Sequence, residues 1–424
     1  MKNLGKKLIS GALALGVAAG CAAPSAALAQ ENADAQTSVQ DTALHFDENG
    51  KFKILILSDV QDTNTPQKAT TNLLVAALDA AQPDLVVFLG DNIAGWWKGV
   101  TLAETESAID QIIQPVDARG IPFAIVYGNH DHEGLCDEEN NMTEEEAKEA
   151  QLRFYQKYKT CLAIEGEEMT GCGNYNLLIQ DSAQKKNVFN LWFMDSNPYA
   201  PEEEGGGYGY VAEDQTQWYV DTSNALKAEN GGKPLPSLLF QHIAVPEVYN
   251  MLTAVSAGTK GAVRGHDVYS DKHYVANSEY IDQGAVREGP CPPNSNHGQF
   301  ESWKQQGDIL GAFFGHDHIN DYSGVYEGIR LTAAPAVGFY SYGNVHGVRT
   351  IELDENDLST FTSEIIYYDD LVDEPVGNLI VERHGYYEYR NKFLPGILGG
   401  VAGLAVLGGA VAGIVKLIRK KRGS

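Results

Sequence analysis

Basic residues are scarce in this 424-residue chain. It has 31 Lys and Arg residues against 57 Asp and Glu residues, so its formal net charge is −26. Nucleic-acid-binding proteins hold phosphates with clustered Lys and Arg side chains, so this deficit argues against a nucleic acid as the partner. It also disfavours a loosely bound polyanionic substrate, unless bound metal ions supply positive charge at the site.

Cysteine is scarce as well, with five residues in the whole chain. In an exported protein, the four cysteines beyond residue 30 could form disulfides in three pairings. These four are Cys136, Cys161, Cys172 and Cys291. Cys161 and Cys172 would close the shortest loop, and we expect this pair; four reduced thiols are the alternative.

The N-terminus predicts export. Three lysines precede the apolar residues 8–19, and Ala27 and Ala29 provide a small-residue cleavage site. This order is typical of a secretory signal peptide, here residues 1–29. A lipoprotein signal cleaved before Cys21 is the alternative.

The C-terminus predicts a membrane anchor. Residues 393–415 carry no charge and are long enough for a transmembrane helix. Because the tail over residues 416–424 is basic, it should remain in the cytoplasm. We therefore expect a cell-surface protein whose catalytic domain lies outside the cytoplasm. That domain would cover residues 48–368, between a flexible leader (30–47) and a juxtamembrane segment (369–392).

Apolar runs alternate with segments of helical periodicity along the chain. The N-terminal part predicts strands over residues 52–57, 85–89 and 122–127 and helices over 70–81 and 102–114, the second ended by Pro115. Further on, the pattern predicts strands over 174–179, 187–194, 237–240, 308–314, 329–333 and 348–353, helices over 142–158 and 215–228, and a polar excursion over 255–293. The β-α-β-α-β succession indicates an α/β fold with parallel strands.

Oxygen and imidazole donors follow five of these apolar runs, and Gly128-Asn-His-Asp-His-Glu133 is the densest such motif. Strand ends are where open α/β sheets place their chemistry. The donors are Asp59, Gln61, Asp91, Asn129, His130, His242, His316 and His318. No cysteine is among them, so the set suits manganese, iron or zinc rather than a thiolate zinc site.

The order of these motifs resembles that of the calcineurin-like metallophosphoesterases, over residues 52–363. Four stretches are similar to the plant purple-acid-phosphatase-like branch: residues 128–133, 173–177, 241–247 and 315–321. The resemblance implies a four-layer αββα sandwich with a dinuclear metal centre at one edge. With the predicted anchor, the expected fold class is therefore this α/β sandwich plus a C-terminal transmembrane helix.

The resemblance also implies a role for each donor. The first of two divalent metal ions would be held by Asp59, Gln61, Asp91 and His318. The second would be held by Asp91, Asn129, His242 and His316, with Asp91 as the bridge. His130 would not be a ligand but would protonate the leaving oxygen or stabilise the transition state, and a metal-bridging hydroxide would be the nucleophile.

Two positions depart from the family pattern. Gln61 stands where the family usually has His, and an amide oxygen is a weaker ligand than imidazole. The tyrosine ligand of true purple acid phosphatases is missing after Gly90 and Asp91. We therefore expect no coloured tyrosinate–iron centre.

The expected protein is an exported, membrane-anchored, metal-dependent phosphoesterase that hydrolyses phosphomonoesters. A phosphodiesterase or nucleotidase with the same centre is one alternative, and a surface binding protein that has lost turnover is the other. The substrate would be a small phosphorylated molecule or a phosphoprotein; the oligomeric state stays open.

Several other residues near the motifs are candidates for a place beside the site. For most of them a structural role is the simpler expectation, with a position near ligand or substrate as the alternative. They are His132, Asp195, His266, His297, Phe339, Tyr340, Tyr342 and His346. Of these, His266 mimics the last metal motif without a strand before it, and we do not expect it to bind metal.

Overall fold

The computed structural model describes residues 43–97, 99–374 and Val376. The strands are β1 (Leu44–His45), β2 (Lys51–Leu57), β3 (Leu85–Leu89), β4 (Phe123–Val126), β5 (Tyr175–Gln180), β6 (Asn187–Phe193), β7 (Ser237–Phe240), β8 (Leu252–Val255), β9 (Val263–Arg264), β10 (His273–Ala276), β11 (Ile281–Gln283), β12 (Ile309–Phe314), β13 (Ser323–Tyr326), β14 (Ile329–Ala333), β15 (Gly347–Asp354) and β16 (Thr362–Tyr367). The α-helices are α1 (Lys68–Ala81), α2 (Leu102–Asp117), α3 (Glu144–Tyr155), α4 (Glu213–Glu229), α5 (Gln299–Gln306) and α6 (Tyr368–Leu371).

The predicted signal peptide (1–29), transmembrane helix (393–415) and basic tail lie outside the described residues. Within the part of the chain that is described, no helix has the length and apolarity needed to cross a bilayer.

The N-terminal β-α-β-α-β unit forms as predicted. β2, β3 and β4 pair in parallel, and the mixed five-stranded sheet has the order β16-β15-β2-β3-β4. α1 and α2 bury their apolar faces in the same core. Pro115 does not end α2, which runs on to Asp117. In the last helical turn a proline removes only one backbone donor, and the amide of Ala118 still bonds Gln114.

A mixed eight-stranded sheet, β1-β5-β6-β7-β12-β14-β13-β11, forms the second layer of strands. Its central strands are buried on both faces, and alternate side chains enter two cores. Leu238 and Phe240 of β7 join the core shared with the five-stranded sheet, whereas Leu239 joins a second core with Trp303 of α5. The two sheets therefore enclose one core, and α4 and α5 contribute to the other. This mixed-sheet α/β arrangement confirms the α/β part of the predicted fold class.

The domain boundaries differ from the prediction at both ends. The predicted leader (30–47) ends too late, because Leu44 pairs with Ile179 and Phe46 is buried. The predicted domain end at residue 368 comes too early, because Leu371 and Val376 pack against the core. The two-residue strand β1 is too short to show periodicity in the sequence. It is defined by its pairing with β5.

The expected Cys161–Cys172 disulfide is wrong. The four cysteines among the described residues are free thiols, as in the reduced alternative. The Cys172 thiol instead lies 3.0 Å from a carboxylate oxygen of Glu165, and Cys161 is buried in the core. The predicted polar excursion also holds structure, because β8, β10 and β9 form a small antiparallel sheet.

Candidate metal centre

The loops after β2, β3, β7 and β12 bring acidic and histidine side chains into two groups that could each hold a metal ion. Asp91 belongs to both groups: one also contains Asp59 and His318, and the other His242 and His316. Within each group, one ligand atom from each residue lies within 4.8 Å of the others. A shared carboxylate is what a pair of adjacent cations requires. The structure therefore assembles these five predicted ligands, although their binding of metal stays a prediction.

Four of the predicted ligands have a left-handed backbone. The φ angles are 48° at Asp59, 38° at Gln61, 48° at Asp91 and 72° at His316. Residues other than glycine rarely adopt this conformation, and such strain is concentrated at functional sites. The turns that follow β2 and β3 of the five-stranded sheet and β12 of the eight-stranded sheet bring side chains from both sheets together.

Glycines in the motifs leave room for these side chains. A Cβ atom on Gly128 would lie 2.1 Å from Oδ1 of Asp91, and one on Gly90 would lie 2.6 Å from Nδ1 of His242. No larger residue can occupy either position without moving a predicted ligand.

Two imidazole rings are oriented from behind by backbone carbonyl groups. Nδ1 of His242 lies 2.9 Å from the Leu89 carbonyl oxygen, and Nδ1 of His318 lies 3.1 Å from that of Tyr342. Nδ1 therefore carries the proton in each ring, and Nε2 has the lone pair that could bind a metal ion. Nε2 of His242 lies 3.3 Å from Oδ2 of Asp91. Such a backbone contact is a usual device for fixing a metal-binding histidine.

The unpaired atoms of the site test whether metal ions fit it. Buried polar atoms normally have hydrogen-bond partners, and leaving one unpaired is costly. Four predicted donor atoms are buried without one: Oε1 of Gln61, Oδ1 of Asn129, Nε2 of His242 and Nε2 of His316. All four can offer a lone pair, and cations would satisfy them. The residues present therefore fit a pair of divalent ions.

Gln61 also contacts the shared carboxylate. Its Nε2 donates to Oδ2 of Asp91 at 2.7 Å, which leaves Oε1 as the unpaired atom. The side chain can thus act as a ligand, as a support for Asp91, or as both.

His130 lies beside the two groups and is part of neither. Its backbone amide donates to Oδ1 of Asp91 at 2.8 Å, and Nδ1 lies 2.8 Å from a carboxylate oxygen of Glu133. The ring packs edge-on against Trp96. Burial lowers the pKa of His130, but Asp91 and Glu133 outweigh it and raise that pKa to about 9. With Nδ1 bonded to Glu133 and the side chain 32% exposed, Nε2 is the atom available to a substrate.

Sequence reasoning missed a buried carboxylate that holds the loops together. Asp131 accepts hydrogen bonds from the backbone amides of Asn92, Ile93 and Gly128. Burial and the nearby Asp91 raise the pKa of Asp131 to about 7. Its place inside the Gly-Asn-His-Asp motif was the available signal.

A buried ion pair was also missed. Lys148 and Asp195 are each about 1% exposed, and their charged atoms lie 2.7 Å apart. Asp195 further accepts hydrogen bonds from the amides of Cys172 and Asn197. Of the two roles considered for Asp195, these contacts support the structural one, in which the side chain stabilises the loop after β6. Lys148 lies on the glutamate-rich helix α3.

Some of the remaining candidates are buried in the core, and others lie near the surface. His132 is buried, Phe339 is buried against His346, and Tyr340 stacks on Trp96. His266 belongs to neither metal group, and His297 stacks on Tyr210 at the wall of a small pocket. Tyr342 is exposed and stacks on His318, so it does not lie in the core, and a position near substrate stays a prediction. Tyr208, which packs edge-on against His316 at 4.2 Å, was missed.

The chain is similar to several known proteins. A family model described as calcineurin-like phosphoesterase matches residues 52–320. Probable inactive purple acid phosphatase 29 of Arabidopsis thaliana is 28% identical over 356 residues, which are 78% of this chain and 80% of the relative. Phosphatase DCR2 of Saccharomyces cerevisiae is 28% identical over 65% of this chain and 45% of its own length. A dimetal phosphatase from Danio rerio aligns over 75% of this chain and 99% of its own, with a TM-score of 0.41 and 14% identity.

Proposed function

The chain belongs to the calcineurin-like phosphoesterase family, and we propose that it is a metal-dependent phosphoesterase that hydrolyses phosphomonoesters at a two-metal centre. The observation that carries this proposal is the membership of Asp91 in both candidate metal groups. The metal ions would be manganese, iron or zinc, since the donors are oxygen and imidazole. The substrate would be a small phosphorylated molecule or a phosphoprotein.

The residues divide the work of the reaction. When bound, two divalent ions supply positive charge for the phosphoryl oxygens and activate water. His242 and His318 present Nε2 to them because Nδ1 is bonded to a backbone carbonyl. His130 carries a proton on the side of the site next to Asp91, and Glu133 holds the ring so that Nε2 can donate to the leaving oxygen.

Metal content and turnover together test this proposal. We would purify the full chain and measure the metal bound to it. We would then screen monoesters, diesters and nucleotides as substrates with added manganese, iron or zinc. Asp91→Ala should lower metal content and abolish hydrolysis, because it removes the ligand that both ions share. Asp282→Ala, at an exposed ion pair with Arg330, is the control and should keep both. Normal turnover in Asp91→Ala would refute the two-metal assignment.

The same screen addresses the phosphodiesterase and nucleotidase alternatives. A second candidate function, a surface binding protein without turnover, is favoured by the amide of Gln61 at a position usually held by His. The names of relatives such as probable inactive purple acid phosphatase 29 point the same way. An intact His130 beside the shared carboxylate favours the enzyme. Bound metal with no hydrolysis of any ester would decide for the binding protein.

We further propose that the catalytic domain lies at the cell surface and is held by the C-terminal helix over residues 393–415. The support is the charge pattern of the two chain ends. A protease added to intact cells should release the domain and leave the tail over 416–424 protected. Digestion of that tail in intact cells would reverse the orientation.

A further inference from the structure

We propose that Tyr199 is a positioning residue that selects which atom of the Asn129 amide faces the metal centre and connects that amide to Glu133 and His130. This inference rests on the proposed function, because it concerns a predicted ligand of that centre. Tyr199 lies outside every motif in the family resemblance, and its role comes from its contacts alone.

The hydroxyl of Tyr199 lies between two polar side chains. It donates to Oε1 of Glu133 at 3.1 Å, and it is 3.4 Å from Nδ2 of Asn129. A carboxylate can only accept, so the hydroxyl proton points to Glu133. The lone pairs of the hydroxyl oxygen are then directed to the amide, where they can accept only from the NH₂ group.

This arrangement distinguishes the two ends of the Asn129 amide. With Nδ2 toward Tyr199, Oδ1 is directed away from it and is one of the four buried donor atoms without a hydrogen-bond partner. A reversed amide would place its oxygen against the lone pairs of the hydroxyl and its NH₂ group where a cation should bind. The 3.4 Å contact is long for a hydrogen bond, so it matters as a choice of orientation more than as a strong bond.

Glu133 extends the connection to the proton donor. One oxygen of its carboxylate accepts from Tyr199, and the other lies 2.8 Å from Nδ1 of His130. A continuous series of contacts therefore joins Asn129, Tyr199, Glu133 and His130. The predicted ligand and the predicted acid are oriented from the same carboxylate.

Tyr199 is held in place by its own loop. Its backbone bridges to Tyr208, and the amide of Ala200 bonds the Gly207 carbonyl at 3.0 Å. The Tyr199 ring also stacks on Tyr208, which packs against His316. The residue is nevertheless 48% exposed, so loss of its hydroxyl removes little buried structure.

A double-mutant cycle with Mn²⁺ as the probe tests the inference. Tyr199→Phe should weaken Mn²⁺ binding at the site of Asn129, His242 and His316 by up to about tenfold, because the amide can then turn its NH₂ group toward the ion. In an Asn129→Asp background the same change should have almost no effect, because a carboxylate offers two equivalent oxygens whichever way it turns. Binding is measured by calorimetric titration of the full chain, and it requires no turnover.

The matched control is Tyr326→Phe. Its hydroxyl accepts from Nδ2 of Asn250 at 3.2 Å, the same kind of contact on strand β13, and its loss should leave Mn²⁺ binding unchanged. An equal loss for Tyr199→Phe in both backgrounds, or no loss in either, would overturn the positioning role. If the wild type binds Mn²⁺ but hydrolyses no ester, the proposed function is wrong, and the double-mutant cycle still tests the role of Tyr199. A wild type that binds no Mn²⁺ overturns both.

Discussion

Gln61 is the position where a single substitution tells most about the centre. Its Nε2 donates to Asp91 at 2.7 Å, and its Oε1 is buried without a partner. If Oε1 binds an ion, the first site has Asp59, Asp91, His318 and a neutral amide oxygen. A neutral amide is a weaker donor than imidazole. We therefore expect unequal sites, with the His242 and His316 site filling first.

The size of the effect follows from the contacts. Gln61→Ala removes the hydrogen bond to a charged carboxylate, worth about 1.5–3 kcal/mol. That corresponds to roughly a 10- to 150-fold change in an equilibrium constant. Mn²⁺ affinity at the first site should fall by about that factor, because Asp91 loses its support and the ion loses a ligand. Gln61→His should tighten the first site by restoring the imidazole of the family pattern.

The assay is a metal titration that follows bound Mn²⁺ and rate together, before and after mild chelation. Wild type should lose its first-site ion to the chelator and regain activity with added metal. Gln217→Ala is the matched control, since that glutamine donates to Asp221 at 2.9 Å on the exposed face of α4. The reasoning fails if wild type keeps two ions through chelation and Gln61→His changes nothing.

Two further predictions concern the proton donor and the buried ion pair. His130→Gln should keep bound metal but lower the rate by about 10²- to 10⁴-fold, with a smaller loss on nitrophenyl than on alkyl esters, since good leaving groups need less protonation; loss of metal would make His130 a ligand instead. Lys148→Met should lower the free energy of unfolding by about 3–5 kcal/mol in denaturant melts, because Asp195 stays buried without its partner. Lys304→Met, at a surface pair with Glu301, should change it little, and equal effects of both would contradict the argument.

The regular elements could be predicted because their signals are local. β3 has the predicted bounds, and α3, predicted over residues 142–158, begins after the capping box of Thr143 and Glu146. β1 could not be predicted, because its pairing with the distant β5 defines it. The small sheet of β8, β9 and β10 could not be predicted either, because its strands are only two to four residues long. The predicted end of α2 at Pro115 was wrong for the opposite reason. Proline is a strong local sign of a helix end, but the last turn of this helix tolerates it.

The predicted ligands came together because each follows a strand of one of the two sheets, at the kind of strand end where α/β folds bind ligands. Spacing along the chain carried that information. The contacts that orient the ligands are different in kind. Asn129 meets Tyr199 across 70 residues of chain, and Lys148 meets Asp195 across 47. The spacing of the residues along the chain predicts neither contact.

This difference bears on whether the chain is an enzyme. A ligand set read from sequence names the residues but not the atoms that face the ions, and an amide can present either oxygen or nitrogen. Two of the predicted ligands, Gln61 and Asn129, are amides of this kind. In the structure the contact of Gln61 with Asp91, and that of Asn129 with Tyr199, direct the nitrogen away and leave the oxygen unpaired. We therefore expect the activity of the proposed centre to depend on Asp91 and Tyr199 as orienting groups, and a relative with the same ligands but no hydroxyl at the position of Tyr199 should bind its ions less tightly.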